Sequence, residues 1–545
     1  MKKVVSIMLA LLMVFPLMIP SFAADEQTTK PLPIVTIGGN GGTLADKDGN
    51  VAWRINYDVE ANLKEQIMNV IFPHFTNAIL FGDWEPYYQA LEVEFNKIYK
   101  DVLLDGNGEP SNGTTIPANF NQIMDNDFSR EKYKPNVGYT LSDYRFRYDW
   151  RLDPYEIADS LNYRINQCLK ATGNDKLNIY VDCIGGTCVL AYLQKYGTEK
   201  IQSIIFDTTV ANGCNILTDF FCGEIQVDAD KIDNLIQDLQ DRGKFGDVDE
   251  FSQLGLILSL VKSSIQLAEE AGLLKMLSMG VNELYNKVFT EVAPHVLRNM
   301  YATWPNYWAT IYNDKYEKAK NYIFPTDELK EQYAGLIAKN DNYQKNIASD
   351  VVGLIKKCSD EGVIIGSIAK YGYSVMPAIQ SASSIGDNMS LVKDTSFGAT
   401  TAKAETALSN SYIAEKEAAG LGKYISPDKQ IDASTALFPD KTWFIKGYDH
   451  NEYGAYEPIA LYFLNSNGEA TVNSNPNYPQ YMIAARASGS ANSVIPMTEE
   501  NANSVGNLNV PEIPSNTKLS LIQKAINWIK SLFNLLKHLF TKGNT

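Results

Sequence analysis

The chain has little basic charge, few histidines and no closely spaced cysteine pair. Asp and Glu number 64 against 48 Lys and Arg, which gives a formal net charge of −16. No long basic stripe occurs in the body of the chain, which argues against nucleic-acid binding. The absence of any C-x-x-C pair argues against a zinc ribbon or a thioredoxin-type site. The sequence suggests no other metal site and no nucleotide cofactor.

Six cysteines leave the question of disulfides open. An even count in an exported protein permits crosslinks, and Cys214 could pair with Cys222 in an oxidising compartment. However, a chain of 545 residues is long enough to bury a large core without them. Its length also suggests two or more domains.

The N-terminus has the pattern of a secretory signal peptide. Met1-Lys2-Lys3 precedes an apolar run from Val4 to about Ile19, and the small-residue site Ser21-Phe22-Ala23 follows. The run is short for a membrane-spanning helix, so we predict export and cleavage rather than a membrane anchor. The prediction is a secreted or cell-surface protein, with residues 1–23 left out of the fold.

Strand-like and helix-like segments alternate up to about residue 221. Strands are predicted at 33–37, 142–148, 177–181 and 201–206, and a helix from Pro154 to about Thr172. This order predicts a mostly parallel sheet with helical crossovers.

The pattern then becomes helical from about residue 222 to 362, which predicts an inserted cap domain. Strand candidates return at 363–369, 376–379 and 442–445, so residues 24–221 and 363–486 would form the two parts of an α/β core. Residues 487–516 are rich in Asn, Ser and Pro and are predicted to be a linker.

The C-terminal part, residues 517–545, is predicted to be an amphipathic helix. Within 519–542, Lys524, Asn527 and Ser531 share one face, and apolar residues such as Ile522 and Phe533 share the other. Such a helix either docks on the parent domain or a protein partner, or lies on an anionic membrane surface. The preceding linker slightly favours the membrane surface.

The most informative segment is Val181-Asp182-Cys183-Ile184-Gly185-Gly186. It follows a buried strand and leads into a helix. A strand, a tight turn and a helix with small residues after a nucleophile form the nucleophile elbow of α/β-hydrolases. The usual pattern is G-x-S-x-G, whereas here the nucleophile would be Cys183 and the leading glycine is replaced by Val181.

A nucleophile at this elbow needs a base and an acid that follow it in the chain. Of the four histidines, His74 precedes the elbow, His295 falls in the predicted cap and His538 lies on the C-terminal helix. His450 follows a late strand and is the predicted base.

The predicted acid is Asp387, in the loop after the strand that follows the cap. Asp394 and Asp440 are its rivals. Asp387 would fix the tautomer of the imidazole and stabilise its charge.

A glycine-rich loop at 38–42 follows the first strand. No Gly-Lys-Ser/Thr follows, which favours a simple turn over a phosphate-binding loop. We expect the backbone N–H of Ile184, together with that of Gly39 or Asn40, to form the oxyanion hole.

At these residues the chain resembles the lecithin–cholesterol acyltransferase family of α/β-hydrolases. The likeness rests on Tyr148-Asp149-Trp150-Arg151 before the elbow, on the glycine loop, and on Trp304-Pro305-Asn306-Tyr307-Trp308 in the cap. Tyr424-Ile425-Ser426-Pro427-Asp428 is similar to bacterial exported members. The resemblance covers roughly residues 31 to 465. It implies an α/β-hydrolase fold with a helical cap and a lipid-like acyl ester as substrate.

The chain departs from the family at the elbow itself. Family members carry Ser at the position of Cys183, usually His at that of Asp182, and a small residue at that of Val181. Cys183 keeps a nucleophile, but Val181 could shift the turn out of its strained geometry. Asp182 places a negative charge beside the sulfur and so disfavours the thiolate.

Three functions are compatible with these residues. The main prediction is an exported esterase, lipase or O-acyltransferase that forms an acyl-enzyme on Cys183. The alternatives are a non-catalytic descendant that binds a lipid or cell-envelope ligand, and a thiol peptidase or amidase on the same scaffold. The sequence does not select an ester over an amide.

Overall fold

The structure is a computed structural model that describes residues 30–39, 41–46, 48–50, 72–111, 113–115, 128–224, 281–374, 385–403, 406–488 and 490–503. The predicted signal peptide, the middle of the predicted cap, the strand predicted at 376–379 and the C-terminal amphipathic helix lie outside the described residues.

Eight strands of the described chain form one sheet, in the order β12-β11-β10-β5-β4-β3-β1-β2. All neighbours are parallel except β11 and β12. This is the mostly parallel sheet that the sequence predicts. Two short antiparallel pairs, β6 with β7 and β8 with β9, lie outside it. The strands are β1 (Ile34–Ile37), β2 (Tyr144–Phe146), β3 (Leu177–Asp182), β4 (Ile201–Asp207), β5 (Ile364–Tyr371), β6 (Tyr373–Ser374), β7 (Ile385–Gly386), β8 (Thr400–Thr401), β9 (Ile431–Asp432), β10 (Thr442–Lys446), β11 (Tyr481–Ser488) and β12 (Ser490–Pro496).

Helices pack against the strands of this sheet, and several 3₁₀ turns lie between the helices and strands along the chain. The α-helices are α1 (Phe72–Phe81), α2 (Glu85–Tyr99), α3 (Pro154–Thr172), α4 (Gly185–Tyr196), α5 (Asn215–Phe221), α6 (Val281–Arg298), α7 (Pro305–Trp308), α8 (Asn313–Ile323), α9 (Asp327–Gln332), α10 (Ala334–Asn346), α11 (Val351–Asp360), α12 (Val392–Thr395), α13 (Asn410–Ala418) and α14 (Glu457–Asn465).

Local signals set the ends of α3 where the sequence places them. Asp153 caps the N-terminus by accepting a hydrogen bond from Tyr155 N at 3.2 Å, and Pro154 occupies the first helical position. Gly173 ends the helix with φ 67°, a left-handed conformation that glycine adopts without strain.

The register of the central strands brings three chain segments to the carboxyl-terminal end of the sheet. Val181 near the end of β3 pairs with Ile37 at the end of β1 and with Phe206 on β4. Beyond β4, strand β5 pairs with β10. The carboxyl ends of parallel strands lie at the same end of a sheet, so the loops after β1, β3 and β10 all emerge there.

The chain between β4 and β5 is helical in its described part, in keeping with the predicted insertion. The predicted boundary at residue 362 is too late, because α11 packs against the elbow helix α4 and so forms the crossover into β5. Helix α6 packs against α2, which precedes β2. The periodicity of a helix indicates an apolar face but not which surface covers that face.

The predicted linker is wrong at its start, because residues 490–496 form strand β12. This strand pairs antiparallel with β11 at the edge of the sheet. Pro496 ends it, at a position that a sheet edge tolerates. The Asn- and Ser-rich composition concealed a short edge strand.

All six cysteines are free. The pairing considered for Cys214 with Cys222 is absent because these residues flank opposite ends of α5. Eight helical residues advance roughly 12 Å along the axis, which exceeds the roughly 7 Å limit for bridged Cα atoms. In the described ranges, no helix combines the length and the apolar character needed to span a bilayer.

Candidate active site

The turn between β3 and α4 has the strained backbone of a nucleophile elbow. Cys183 adopts φ 47°, in the left-handed region that non-glycine residues rarely occupy. Its carbonyl accepts hydrogen bonds from Val210 N at 3.1 Å and from Gly186 N at 3.3 Å. These bonds hold the turn, and the positive φ projects the thiol from the end of the strand.

The two glycines after Cys183 make this turn possible. A Cβ at Gly185 would lie 2.9 Å from the carbonyl oxygen of Ile37 and 3.2 Å from Cγ2 of Val181. A Cβ at Gly186 would lie 2.8 Å from that of Ala211. The missing side chain of Gly185 leaves room for Val181, so the expected displacement of the elbow by Val181 does not occur.

His450 lies between Cys183 and Asp387. Its Nε2 is 3.1 Å from Cys183 Sγ, and its Nδ1 is 2.8 Å from Oδ2 of Asp387. Ser390 Oγ lies 3.1 Å from the same Nδ1. The structure therefore brings together the three residues that the sequence suggests as nucleophile, base and acid, with His450 within hydrogen-bonding distance of each of the other two.

The acid is held in a tight turn after β7. Oδ1 of Asp387 accepts hydrogen bonds from Ser390 N at 2.6 Å and from Met389 N at 3.1 Å. The carbonyl of Asp387 also accepts the N–H of His450 at 2.7 Å. The turn thus fixes both the carboxylate and the backbone of the histidine.

Electrostatics favour the charged forms of His450 and Asp387. Burial opposes the imidazolium, but Asp387 and Cys183 together raise the pKa of His450 well above its ordinary value. Burial also disfavours the carboxylate of Asp387, yet the charge and hydrogen bond of His450 keep the pKa of that carboxyl below its usual value. A protonated His450 stabilises a thiolate on Cys183.

Lys370, near the end of β5, holds the loop that carries His450. Its side chain is buried, and Nζ donates to the carbonyl of His450 at 2.7 Å and to that of Glu452 at 3.0 Å. The ring centroid of Tyr453 lies 4.4 Å from this nitrogen. The ammonium therefore positions the histidine loop through two backbone carbonyls.

His295 and the rival acids have other partners. His295 lies 3.2 Å from Glu92 on α2. Asp394 accepts hydrogen bonds from Tyr312 and Lys393, and Asp440 accepts one from Tyr424 at 2.9 Å. His74 lies on α1, and His538 is outside the described residues.

The glycine loop lies against the nucleophile. A Cβ at Gly39 would be 2.9 Å from Cys183 Sγ. The N–H of Gly39, expected in the oxyanion hole, donates instead to Oδ1 of Asp182 at 2.6 Å. Ile184 stands at the N-terminus of α4, where backbone N–H groups favour negative charge. Asn40 lies outside the described residues.

The Tyr148-Asp149-Trp150-Arg151 motif supports the glycine loop that lies against the thiol. Tyr148 donates its hydroxyl to the carbonyl of Gly38 at 2.7 Å, and its N–H to that of Gly41 at 3.0 Å. A Cβ at Gly41 would lie 2.3 Å from the carbonyl oxygen of Tyr148, so this position requires glycine. Tyr148 thereby fixes the loop that carries Gly39.

Arg151 is completely buried and hydrogen-bonds to three segments of the chain, at Asp149, Val102 and Thr114. It forms a bidentate pair with Asp149, at 2.9 Å from Nε and 2.6 Å from Nη2. It also donates to the carbonyls of Val102 and Thr114 at 2.9 and 2.8 Å.

The cap segment at Trp304–Trp308 completes this support. Trp304 packs edge-on against Trp150 at 4.9 Å between ring centroids. Asn306 donates to the carbonyl of Trp150 at 3.0 Å and hydrogen-bonds Thr187 on the elbow helix. The Trp304–Trp308 segment therefore packs against the elbow helix and against Trp150.

Sequence reasoning missed Lys370, Ser390 and the partner of Asp182. A lysine inside the apolar run 364–371 signals a buried cation with acceptors nearby. A serine three residues after Asp387 is typical of a side chain–backbone turn. No sequence signal pairs Asp182 with Gly39, since they are far apart in the chain. Within the described ranges, no group of three potential ligands could hold a metal ion.

Comparisons with known proteins bear on the fold. A family model described as alpha/beta hydrolase fold matches residues 125–251, which include the elbow. No curated protein matches the chain. A solved structure described as "The crystal structure of Tle4-Tli4 complex" is similar at 12% identity over 63% of this chain and 75% of that chain. Its TM-score of 0.26 is too low to support an argument. The family model and the mostly parallel sheet show that the chain has an α/β-hydrolase fold.

Proposed function

We propose that the protein is an acyl-ester hydrolase or O-acyltransferase that works through Cys183, His450 and Asp387. One observation carries the proposal: a thiol on a left-handed elbow lies 3.1 Å from an imidazole whose other nitrogen lies 2.8 Å from a carboxylate. Nucleophile, base and orienting acid in this arrangement are the parts that acyl transfer requires.

The reaction follows from these contacts. The thiolate of Cys183 attacks the ester carbonyl carbon, and the carbonyl electrons move onto oxygen. His450 then gives its proton to the leaving alkoxide, which departs as an alcohol and leaves a thioester. His450 next removes a proton from water or an acceptor alcohol, whose oxygen attacks the thioester and releases the acid or a new ester. Asp387 stabilises the imidazolium in each half-reaction.

The oxyanion would be stabilised first by the N–H of Ile184. This residue follows the nucleophile and opens α4, so its N–H lies at the positive end of the helix dipole. Gly39 is the second proposed donor, although Asp182 holds its N–H in this conformation.

Lipid-like acyl esters are the proposed substrate class, on the strength of the family resemblance and the helical insertion. We also propose export through the N-terminal signal and membrane-surface contact through residues 519–542. Binding of the full chain to anionic vesicles should exceed that of a chain ending at residue 516. Equal binding would contradict the surface contact.

The acyl-enzyme tests the catalytic proposal. The full chain is mixed with p-nitrophenyl butyrate, quenched in acid and digested, and the Cys183 peptide is analysed by mass spectrometry. A hydroxylamine-sensitive butyryl group should form, and it should be lost in Cys183→Ala and His450→Ala. Cys188→Ala is the matched control, because Cys188 is buried five residues along in the elbow helix. An adduct that survives the changes at both Cys183 and His450 would refute the proposal.

A non-catalytic ligand-binding protein is the second candidate, and the bond from Gly39 to Asp182 favours it. That bond removes a donor from the site at which an oxyanion would form. This candidate predicts ligand binding without ester turnover, and binding that is unchanged in Cys183→Ser. A matched ester and amide, assayed side by side, would separate the esterase from a thiol amidase.

A further inference from the structure

Asp182 connects the glycine loop to the elbow through a single hydrogen bond. Its Oδ1 accepts the N–H of Gly39 at 2.6 Å. Gly39 is packed so closely on the nucleophile that an added Cβ would lie 2.4 Å from the Cβ of Cys183. The donor held by Asp182 therefore lies where a substrate carbonyl must bind for Cys183 to attack it.

We propose that ionised Asp182 closes the oxyanion hole by holding the N–H of Gly39, and that protonation of Asp182 opens it. Asp182 is then a positioning residue that makes acyl transfer faster in mildly acidic conditions. This inference rests on the proposed function, since an oxyanion forms only if Cys183 attacks a carbonyl.

The chemistry of the carboxyl group supports such a switch. A carboxylate is a strong acceptor for a backbone N–H, and a charge-assisted bond is about twice as strong as a neutral one. A protonated carboxyl is a weaker acceptor and has an O–H of its own to donate. Protonation therefore releases the N–H of Gly39 and removes the negative charge that would repel an oxyanion.

The groups around Asp182 raise the pKa of its carboxyl, so that protonation occurs in mildly acidic conditions. Burial and the nearby Asp207 on β4 raise the pKa of Asp182 to about 6, against the opposing effects of the Gly39 N–H, His450 and Lys370. His450 faces Asp182 from the loop after β10, and Lys370 faces it from β5.

Four tyrosines also face this carboxyl and do not titrate with it. Burial, together with acidic neighbours, raises the pKa of Tyr148, Tyr180, Tyr453 and Tyr456 well above the usual value. The pKa of His450 is also raised well above its ordinary value, which favours its imidazolium form and the proposed thiolate beside it.

Two reactions of Cys183 distinguish the effect of the oxyanion hole on the rate from the effect of thiolate formation. Iodoacetamide alkylates a thiolate without forming an oxyanion, whereas p-nitrophenyl butyrate acylates it through one. The ratio of acylation to alkylation rate constants at Cys183, measured on the full chain between pH 5 and pH 8, reports the oxyanion hole alone. One oxyanion-hole donor contributes roughly 10²–10³-fold, so the wild-type ratio should rise at least about tenfold from pH 8 to pH 5.

Both Asp182 variants should lose the pH dependence of this ratio. In Asp182→Ala the ratio should be high at pH 8 and independent of pH. In Asp182→Asn it should also be independent of pH, because an amide keeps an acceptor but does not titrate. Asp207→Asn is the control: it removes a neighbouring charge that raises the pKa of Asp182, so the pH dependence should persist with a lower midpoint. If Asp182→Ala does not fold, as judged by thermal melting, Asp182→Asn carries the test.

The outcomes separate this inference from the proposed function. Acylation with a wild-type ratio that does not change with pH, or that changes equally in the Asp182 variants, would overturn the switch and leave the catalytic proposal standing. Alkylation of Cys183 without acylation in any protein at any pH would overturn both.

Discussion

Nε2 of His450 lies 3.1 Å from Sγ of Cys183, although 267 positions separate the two residues in the chain. The parallel strand order makes this contact possible, because the carboxyl ends of β3 and β10 lie at the same end of the sheet. The contact pairs a thiol with an imidazole whose pKa is raised, after the opposing effect of burial, by Asp387 and by the sulfur itself.

Asp387→Asn should slow acylation strongly. The amide loses the charge that stabilises the imidazolium and permits the wrong tautomer of His450, a change that costs about 10⁴-fold in a serine triad. We expect a loss on the order of 10³–10⁴ in kcat/KM for p-nitrophenyl butyrate. Ser390→Ala, which leaves the carboxylate in place, is the control and should lose far less. Equal losses in the two variants would contradict the role of Asp387.

Lys370→Met should lower kcat with little effect on KM. The substitution removes the donor to the carbonyls of His450 and Glu452 and so loosens the loop that positions the imidazole. A hydrogen bond to a charged group contributes about 1.5–3 kcal/mol. Steady-state kinetics on the folded fraction provide the measurement.

Lys446→Met is the matched control for Lys370→Met. Lys446, on the neighbouring strand β10, pairs with the buried carboxylate of Asp428 at 2.9 Å and donates to the carbonyl of Ala502 at 2.8 Å. Its loss should reduce stability and leave the kcat of folded protein unchanged. If both lysine variants lower kcat equally, a general loosening of the sheet explains the effect.

Most of the sheet could be predicted from the sequence because its central strands are short apolar runs bounded by turn residues. The elbow strand, β1, β4, β5 and β10 are each buried on both faces, and such strands read as continuous apolar segments. Helix α3 was predictable from Pro154 and its apolar spacing. Chain order and the scarcity of histidine selected His450, since only that histidine follows a late strand.

The remainder could not be predicted from the sequence because it depends on contacts between distant segments. The bond from Gly39 to Asp182 exists only once β1 lies beside β3. The fit of Val181 depends on the empty space at Gly185. Strand β12 has an Asn- and Ser-rich composition that is typical of linkers, and its pairing with β11 outweighs that composition.

Arg151→Met should destabilise the fold without altering the chemistry. The change leaves Asp149 buried without its bidentate partner, which typically costs about 3–5 kcal/mol. Urea unfolding should show this loss, and the double variant Arg151→Met with Asp149→Asn should recover part of it because no buried charge is left unpaired. A single variant as stable as the wild type would contradict the structural role of the motif.

Stability should depend on pH through Asp182. Burial first and Asp207 next raise the pKa of Asp182 from 3.8 to about 6, so between these values the folded state binds more protons than the unfolded state. The free energy of unfolding then falls as pH rises through this window, by no more than about 3 kcal/mol at 1.36 kcal/mol per pKa unit. Asp182→Asn should lack this fall, so it should gain stability relative to wild type between pH 4 and pH 8 in urea unfolding. Parallel profiles for the two proteins would contradict the assignment.

The most direct test of the central claim is the pH dependence of Cys183 alkylation by iodoacetamide, followed on the Cys183 peptide in the wild-type protein and in His450→Ala. At pH 6.5 Cys183 should be alkylated faster in the wild-type protein than in His450→Ala, because a protonated His450 stabilises the thiolate. The same rate profile in both proteins would show that His450 does not activate the sulfur, and the proposed catalytic site would then be wrong.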